Sequence, residues 1–201
     1  MDDRPSGAHT VLVDPAADAQ TVGRFAPSPT GPLHLGNLRT ALVAWLSARS
    51  TGGSFVVRME DLDRVTSSRE HADRQLADLG ALGLDWDGEV IFQSEHFDRY
   101  EAAIATLTAT GLTYPCYCSR REIREAATAP HRDAADTVYP GTCRELSTRE
   151  RTERERTGRP PALRLRAHGV VTTFHDRLLG LVTGSVDDVV LRRNDGVPAY
   201  N

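Results

Sequence analysis

The sequence predicts an α/β fold, a mostly parallel doubly wound sheet carrying a small metal-binding insertion. Three observations predict it. Apolar strand-like runs alternate with helical periods between residues 21 and 111. A Pro/Gly-rich loop joins the first strand to the first helix, and the three cysteines fall within residues 116–143, where the composition changes. A chain of 201 residues holds one domain with a real core and a small insertion.

Residues 1–20 lack a basic start followed by an apolar run, so they read as a flexible solvated tail outside the fold. Residues 23–26 form a short strand. Residues 27–36 are a loop feeding a helix that starts near Asn37 and carries Leu38, Ala41, Leu42, Trp45 and Leu46. An apolar strand at 55–59 ends at Glu60 and Asp61, and Ser67 with Glu70 has the spacing of a capping box for a helix bearing Ala72, Leu76 and Leu79. A strand at 90–92 precedes a helix with Phe97, Tyr100, Ile104 and Leu107, stopped by Gly111. A capped helix then begins at Ser119, a loop runs to about residue 136, and residues 144–159 are densely charged. From residue 162 onward, short β-like runs return toward the core. The division expected is a tail at 1–20, the first half of the sheet domain at 21–115, the insertion at 116–160 and an incomplete β-rich return at 161–201.

Net charge of −4 excludes a general polyanion-coating protein but leaves local Arg contacts to RNA open. No stretch is long and apolar enough to span a bilayer, which points to a cytoplasmic protein without a membrane partner. All 24 basic residues are Arg. An odd number of cysteines in a reducing compartment argues for metal rather than disulfides. Cys116, Cys118 and Cys143 supply three thiolates toward the four ligands of tetrahedral Zn²⁺, and His131 lies in the same loop as an ordinary fourth ligand.

In the 27–36 loop, Gly36 lets backbone approach a phosphate, the following helix aims free N–H groups at an anion, and His34 adds a donor. The competing reading is a loop shaped by its prolines, with His34 only a helix cap. Arg24 and Glu60, both at strand ends, offer the cation and anion that an amino-acid ligand requires. They could equally be a structural ion pair with Asp61 as a cap.

The run RFAPSPTGPLHLGN at 24–37 resembles the first signature of class I aminoacyl-tRNA synthetases, in the version of the glutamyl and glutaminyl group. The likeness continues through VVRMEDLD at 56–63, LGLDWDG at 82–88, QSEHFDRY at 93–100 and LRRNDGVPAYN at 191–201. Asn37 departs from the class signature, which ends in His. The resemblance implies a Rossmann-like catalytic domain that activates L-glutamate with ATP and Mg²⁺. It implies that Arg24, Phe25, Ala26, Pro27 and Ser28 hold glutamate, that Glu60 takes its ammonium and that Tyr200 adds a hydroxyl. His34, Gly36 and Asn37 would serve the ATP phosphates, and Tyr139 would join Cys116, Cys118 and Cys143 around a structural zinc. Within the group, the sequence is most similar to the short branch that glutamylates queuosine in the anticodon of tRNA(Asp), expected to act as a monomer. The alternatives are a glutamyl-tRNA synthetase charging a tRNA 3′ end, or a noncatalytic RNA-binding fragment. The family's second signature is a Lys-containing loop and this chain has no Lys, so a truncated chain is expected.

Overall fold

The computed structural model describes residues 10–12, 21–119, 121–123 and 139–199. The described residues fall into two compact units, one of residues 21–101 and the other of residues 10–12 with those from 102 onward.

In the first unit, β2 (Val22–Phe25), β3 (Ser54–Met59) and β4 (Ile91–Phe92) form a parallel sheet in the order β2-β3-β4. Strand β3 alternates strictly, burying Phe55, Val57 and Met59, which is the period-two signature of a strand with one face in the core. Its register sets Arg24 opposite Val56 and Phe25 opposite Val57, so both strands deliver their carboxyl ends to the same edge.

Helix α1 (Leu35–Arg49) packs on β2 and β3. It begins two residues before Asn37, with His34 as its N-cap. Its fully buried residues are Ala41 and Ala48, with Leu38 and Trp45 packed partly against the core, whereas Leu42 and Leu46 are exposed. The expected apolar face is thus rotated. Gly23 gives the reason: a Cβ there would lie 2.8 Å from the Ala48 Cβ, so helix and strand approach too closely for large side chains. The LDWDG segment ties the layers together. Asp87 Oδ2 accepts from Phe55 N at 2.8 Å and from Arg49 Nη1 at 2.7 Å, and Asp85 Oδ1 accepts from Trp45 Nε1 at 2.8 Å. Helix α2 (Arg69–Ala81) is capped by Ser68, whose side chain accepts from His71 N, so the cap lies one residue beyond the expected Ser67. Helix α3 (Phe97–Ala109) is followed by Gly111 at φ +74°, the left-handed stop that glycine favours.

The second unit departs from the expected parallel arrangement. Strands β5 (Thr113–Cys116), β6 (Ala162–Leu165) and β9 (Val190–Arg192) form an antiparallel sheet in the order β5-β6-β9. Strands β7 (Val171–Asp176) and β8 (Gly180–Ser185) form a hairpin, and β1 (Thr10–Leu12) pairs parallel with β7. The tail expected to lie outside the fold therefore contributes a strand, consistent with the strand propensity of Thr and Val at an open sheet edge. Helix α4 (Thr148–Arg156) accounts for the charged segment and starts with a capping box between Ser147 and Glu150.

Asp188, 1% exposed, organises this unit. Its carboxylate accepts from Tyr114 Oη at 2.5 Å, Arg144 Nε at 2.7 Å and Ala167 N at 2.9 Å, while Arg164 Nη1 donates to its backbone carbonyl at 2.6 Å. Burial pushes the Asp188 carboxyl up, but the hydrogen bonds from Tyr114, Ala167 and Arg144 outweigh it and hold the group below the usual carboxylate range. Burial and the adjacent carboxylate push the Tyr114 phenol up.

Candidate functional site

The first candidate site is the loop leaving β2. Pro27 and Pro29 are buried, Ala26 is half-buried and Ser28 is exposed. Four hydrogen bonds fix the loop from outside it: Glu60 N donates to the Pro27 carbonyl at 2.9 Å, Ser68 N to the Pro29 carbonyl at 3.0 Å, and Gln75 Nε2 to the carbonyls of Ser28 at 3.1 Å and Gly31 at 2.7 Å. Gln75 is 2% exposed and was not among the residues expected to matter. Its signal was a lone polar residue on the buried α2 stripe of Ala72, Leu76 and Leu79, where an amide survives only with partners.

At the end of the loop, the Gly36 N–H donates to His34 Nδ1 at 3.0 Å, and the His34 N–H donates to Asn37 Oδ1 at 3.2 Å. This reciprocal cap fixes the imidazole. With Nδ1 accepting, the neutral ring carries its proton on Nε2, leaving that N–H as a donor at the positive end of a 15-residue helix. The cap reading of His34 holds, and Nε2 takes no part in the cap. A Cβ at Gly36 would lie 2.8 Å from His34 Cε1 and 3.0 Å from Nδ1, so glycine is required by the folded-back imidazole. Asn37, the departure from the class signature, supplies the carboxamide oxygen that completes the cap.

Arg24 is exposed at the end of β2, and Glu60, 7% exposed, follows β3 directly. Glu60 does not form the expected structural pair with Arg24: its ion pair is with Arg58, Nη2 to Oε1 at 2.5 Å. Asp61 does cap a loop, accepting from Ser94 N at 2.9 Å and from Ser94 Oγ at 2.5 Å. Phe25 is a core residue, so its side chain is not open to a ligand. Tyr200 lies outside the described residues. A cleft of about 310 Å³ opens beside the loop between Pro29, Asp61, Arg64, Arg69 and Phe92.

The second candidate site lies in the other unit. The sulfurs of Cys116, Cys118 and Cys143 all lie within 4.8 Å of one another, with Cys118 and Cys143 3.5 Å apart. Tyr139 Oη sits 3.3 Å from Cys116 Sγ and 3.7 Å from Cys118 Sγ, and accepts from Cys143 N at 2.9 Å. Tetrahedral zinc with Zn–S bonds of about 2.3 Å sets its sulfurs about 3.8 Å apart, so the cluster fits such an ion after small adjustments. Hydrogen bonds from Cys118 and Cys143 pull the Cys116 thiol below its ordinary range, those to Cys116 and Cys143 push the Cys118 thiol up, and burial pushes the Tyr139 phenol up. Arg164 stacks over the Tyr139 ring at 3.8 Å. His131 lies outside the described residues.

A parallel sheet whose carboxyl ends present a helix N-terminus, a capping imidazole and a buried carboxylate is of the α/β class that places its ligands at the carboxyl ends of the strands. The chain belongs to the family of class I tRNA synthetases (E and Q), catalytic domain, whose profile matches residues 20–201. It is 61% identical over 179 residues to the glutamyl-Q tRNA(Asp) synthetase of Nocardia farcinica, a match covering 89% of this chain and 56% of that protein. It is 41% identical over 182 residues to the glutamate–tRNA ligase of Geobacter sulfurreducens, covering 89% of this chain and 38% of that one. Among solved structures, a glutamate tRNA ligase from Elizabethkingia meningosepticum in complex with its amino acid superimposes with a TM-score of 0.70 at 28% identity, covering 90% of this chain and 40% of that one. The chain thus spans about half the length of the glutamyl-Q relatives it matches.

Proposed function

We propose that this chain forms the glutamate-activating part of an enzyme that glutamylates queuosine in the anticodon of tRNA(Asp). The α-carboxylate of L-glutamate attacks the α-phosphorus of ATP, pyrophosphate leaves, and glutamyl adenylate forms. A queuosine hydroxyl then attacks the activated carbonyl and AMP leaves.

The observation that carries this reading is the His34 cap. It holds an Nε2–H donor at the helix N-terminus where a nucleotide phosphate would bind, so the imidazole stabilises charge rather than acting as a base. Arg24, Ser28 and the backbone of Phe25, Ala26 and Pro27 hold glutamate. Glu60 meets the ammonium by sharing or exchanging its contact with Arg58, and Tyr200 adds a hydroxyl. Mg²⁺ neutralises phosphate charge during the displacement. Cys116, Cys118, Cys143 and Tyr139 hold a structural Zn²⁺. The enzyme acts as a cytoplasmic monomer. Among the described residues, no helix is long and apolar enough to cross a membrane.

The same site suits charging of a glutamate tRNA, the activity named for the Geobacter and Elizabethkingia relatives. ATP/pyrophosphate exchange driven by L-glutamate on the native protein, with and without tRNA, separates the readings. Exchange without tRNA is expected. Strict tRNA dependence would favour the tRNA ligase, and silence under both conditions would favour a noncatalytic RNA-binding role.

A further inference from the structure

We infer that Gln75 is a positioning residue whose buried amide sets the loop that binds glutamate and the ATP phosphates. This role rests on the functional reading of that loop given above.

The geometry makes the case. Nε2 has two hydrogens, and both are used on carbonyls of one loop, Ser28 at 3.1 Å and Gly31 at 2.7 Å. The two acceptors are three residues apart and bracket the turn closed by Thr30 N on the Ser28 carbonyl at 2.9 Å. Ser28 and Gly31 have no ladder partner, since the loop lies between β2 and α1, so a donor from α2 takes the place of a neighbouring strand. The amide orientation follows from its surroundings: reversing it would set a carbonyl oxygen against two others. Oε1 is buried and finds no partner among the described residues. A purely apolar position would be served by leucine or methionine at no such cost, so the amide is explained by what it holds.

The position matters because the loop has the candidate glutamate residues at one end and His34 at the other. Glu60 is tied to the same loop through Pro27, so the cation end, the carboxylate and the imidazole share one frame. Tilting that frame by a fraction of an ångström changes ligand geometry without exposing the core.

The test is Gln75→Met, which keeps volume and removes both donors, with Gln75→Glu as a second variant that keeps shape but sets a carboxylate against the two carbonyls. Amide hydrogen exchange on the native protein is expected to lose protection at Thr30, Glu60 and Ser68, whose N–H groups bond within or to the loop. Amides of Val57 and Leu79 should keep theirs. Glutamate-driven pyrophosphate exchange should show KM for glutamate raised about tenfold with a smaller change in kcat. Unchanged protection at the three reporter amides, or equal loss across the whole unit, overturns the inference, as does a loosened loop with unchanged KM. A wild-type protein silent in glutamate exchange would instead sink the functional reading, while the amide data still decide whether Gln75 holds the loop.

Discussion

At the scale of single residues, the His34–Gly36–Asn37 group shows why a short motif can be legible while its geometry is not. The types, spacing and family resemblance pointed to a phosphate-facing loop and set the cap reading of His34 aside, because a linear sequence does not say which ring nitrogen accepts. The fold answers with Nδ1 on the Gly36 N–H. Gly36→Ala tests the consequence. Its Cβ would press on the imidazole at 2.8 Å, so the ring must shift and the cap is expected to weaken. Losing a cap costs about 1 kcal/mol, whereas replacing glycine by alanine inside a helix returns about the same amount. Thermal stability should therefore change little. ATP-dependent exchange should fall about tenfold or more, since one aligned donor to developing phosphate charge is removed, and ¹⁵N shifts of His34 should show loss of the single tautomer. A large drop in melting temperature with unchanged turnover would contradict this assignment.

At the scale of elements, period and capping chemistry placed β2, β3, α1, α2 and α3 to within one or two residues. The errors share a physical cause. Adjacent Ser67 and Ser68 are indistinguishable as caps until the backbone chooses one, and the buried face of α1 depends on the contact at Gly23, which no helical period records. Strand direction in the second unit was also hidden, because runs of three to six residues pair either way until their partners are known. Asp188 was missed for a related reason: its partners Tyr114, Arg144 and Ala167 lie 74, 44 and 21 residues away. Asp188→Ala should destabilise the unit by about 3 kcal/mol, the cost of removing one partner from a buried charged network. The pH dependence has a definite sign. A carboxyl held below its ordinary value of 3.8 contributes stability that is complete above that value and is lost as pH falls through the depressed folded one. Urea midpoints of wild type and Asp188→Asn should thus differ most above about pH 5 and draw together only as pH falls below the ordinary carboxyl value toward the depressed folded one. A gap that widens toward acid would show that the carboxylate is not the stabilising form.

At the scale of the whole molecule, composition and motif order fixed the family and the presence of a thiol cluster, while the arrangement around the cluster had to be seen. Three thiols separated by up to 27 residues converge because β5 ends at Cys116 and Tyr139 hydrogen-bonds to the Cys143 N–H, a contact that sequence spacing alone does not supply. Among the described residues, Tyr114, Cys116, Tyr117, Tyr139 and Cys143 form a small buried core, with Cys118, Ile123 and Leu146 packed partly against it. Small modules of this kind usually need a metal or a disulfide. The cysteines are free, so metal is the expected source of stability. A structural Zn²⁺ contributes roughly 10–16 kcal/mol of apparent binding energy to folding. Elemental analysis should accordingly find about one zinc per chain, and Cys143→Ser should abolish it. Chelation should strip amide protection from β5 and β6 while β2, β3 and α1, whose core of Phe55, Val57 and Met59 is built without a cysteine, retain theirs. Retained protection in β5 and β6 after complete removal of the metal would mean that the Asp188 network and the antiparallel sheet hold that unit by themselves.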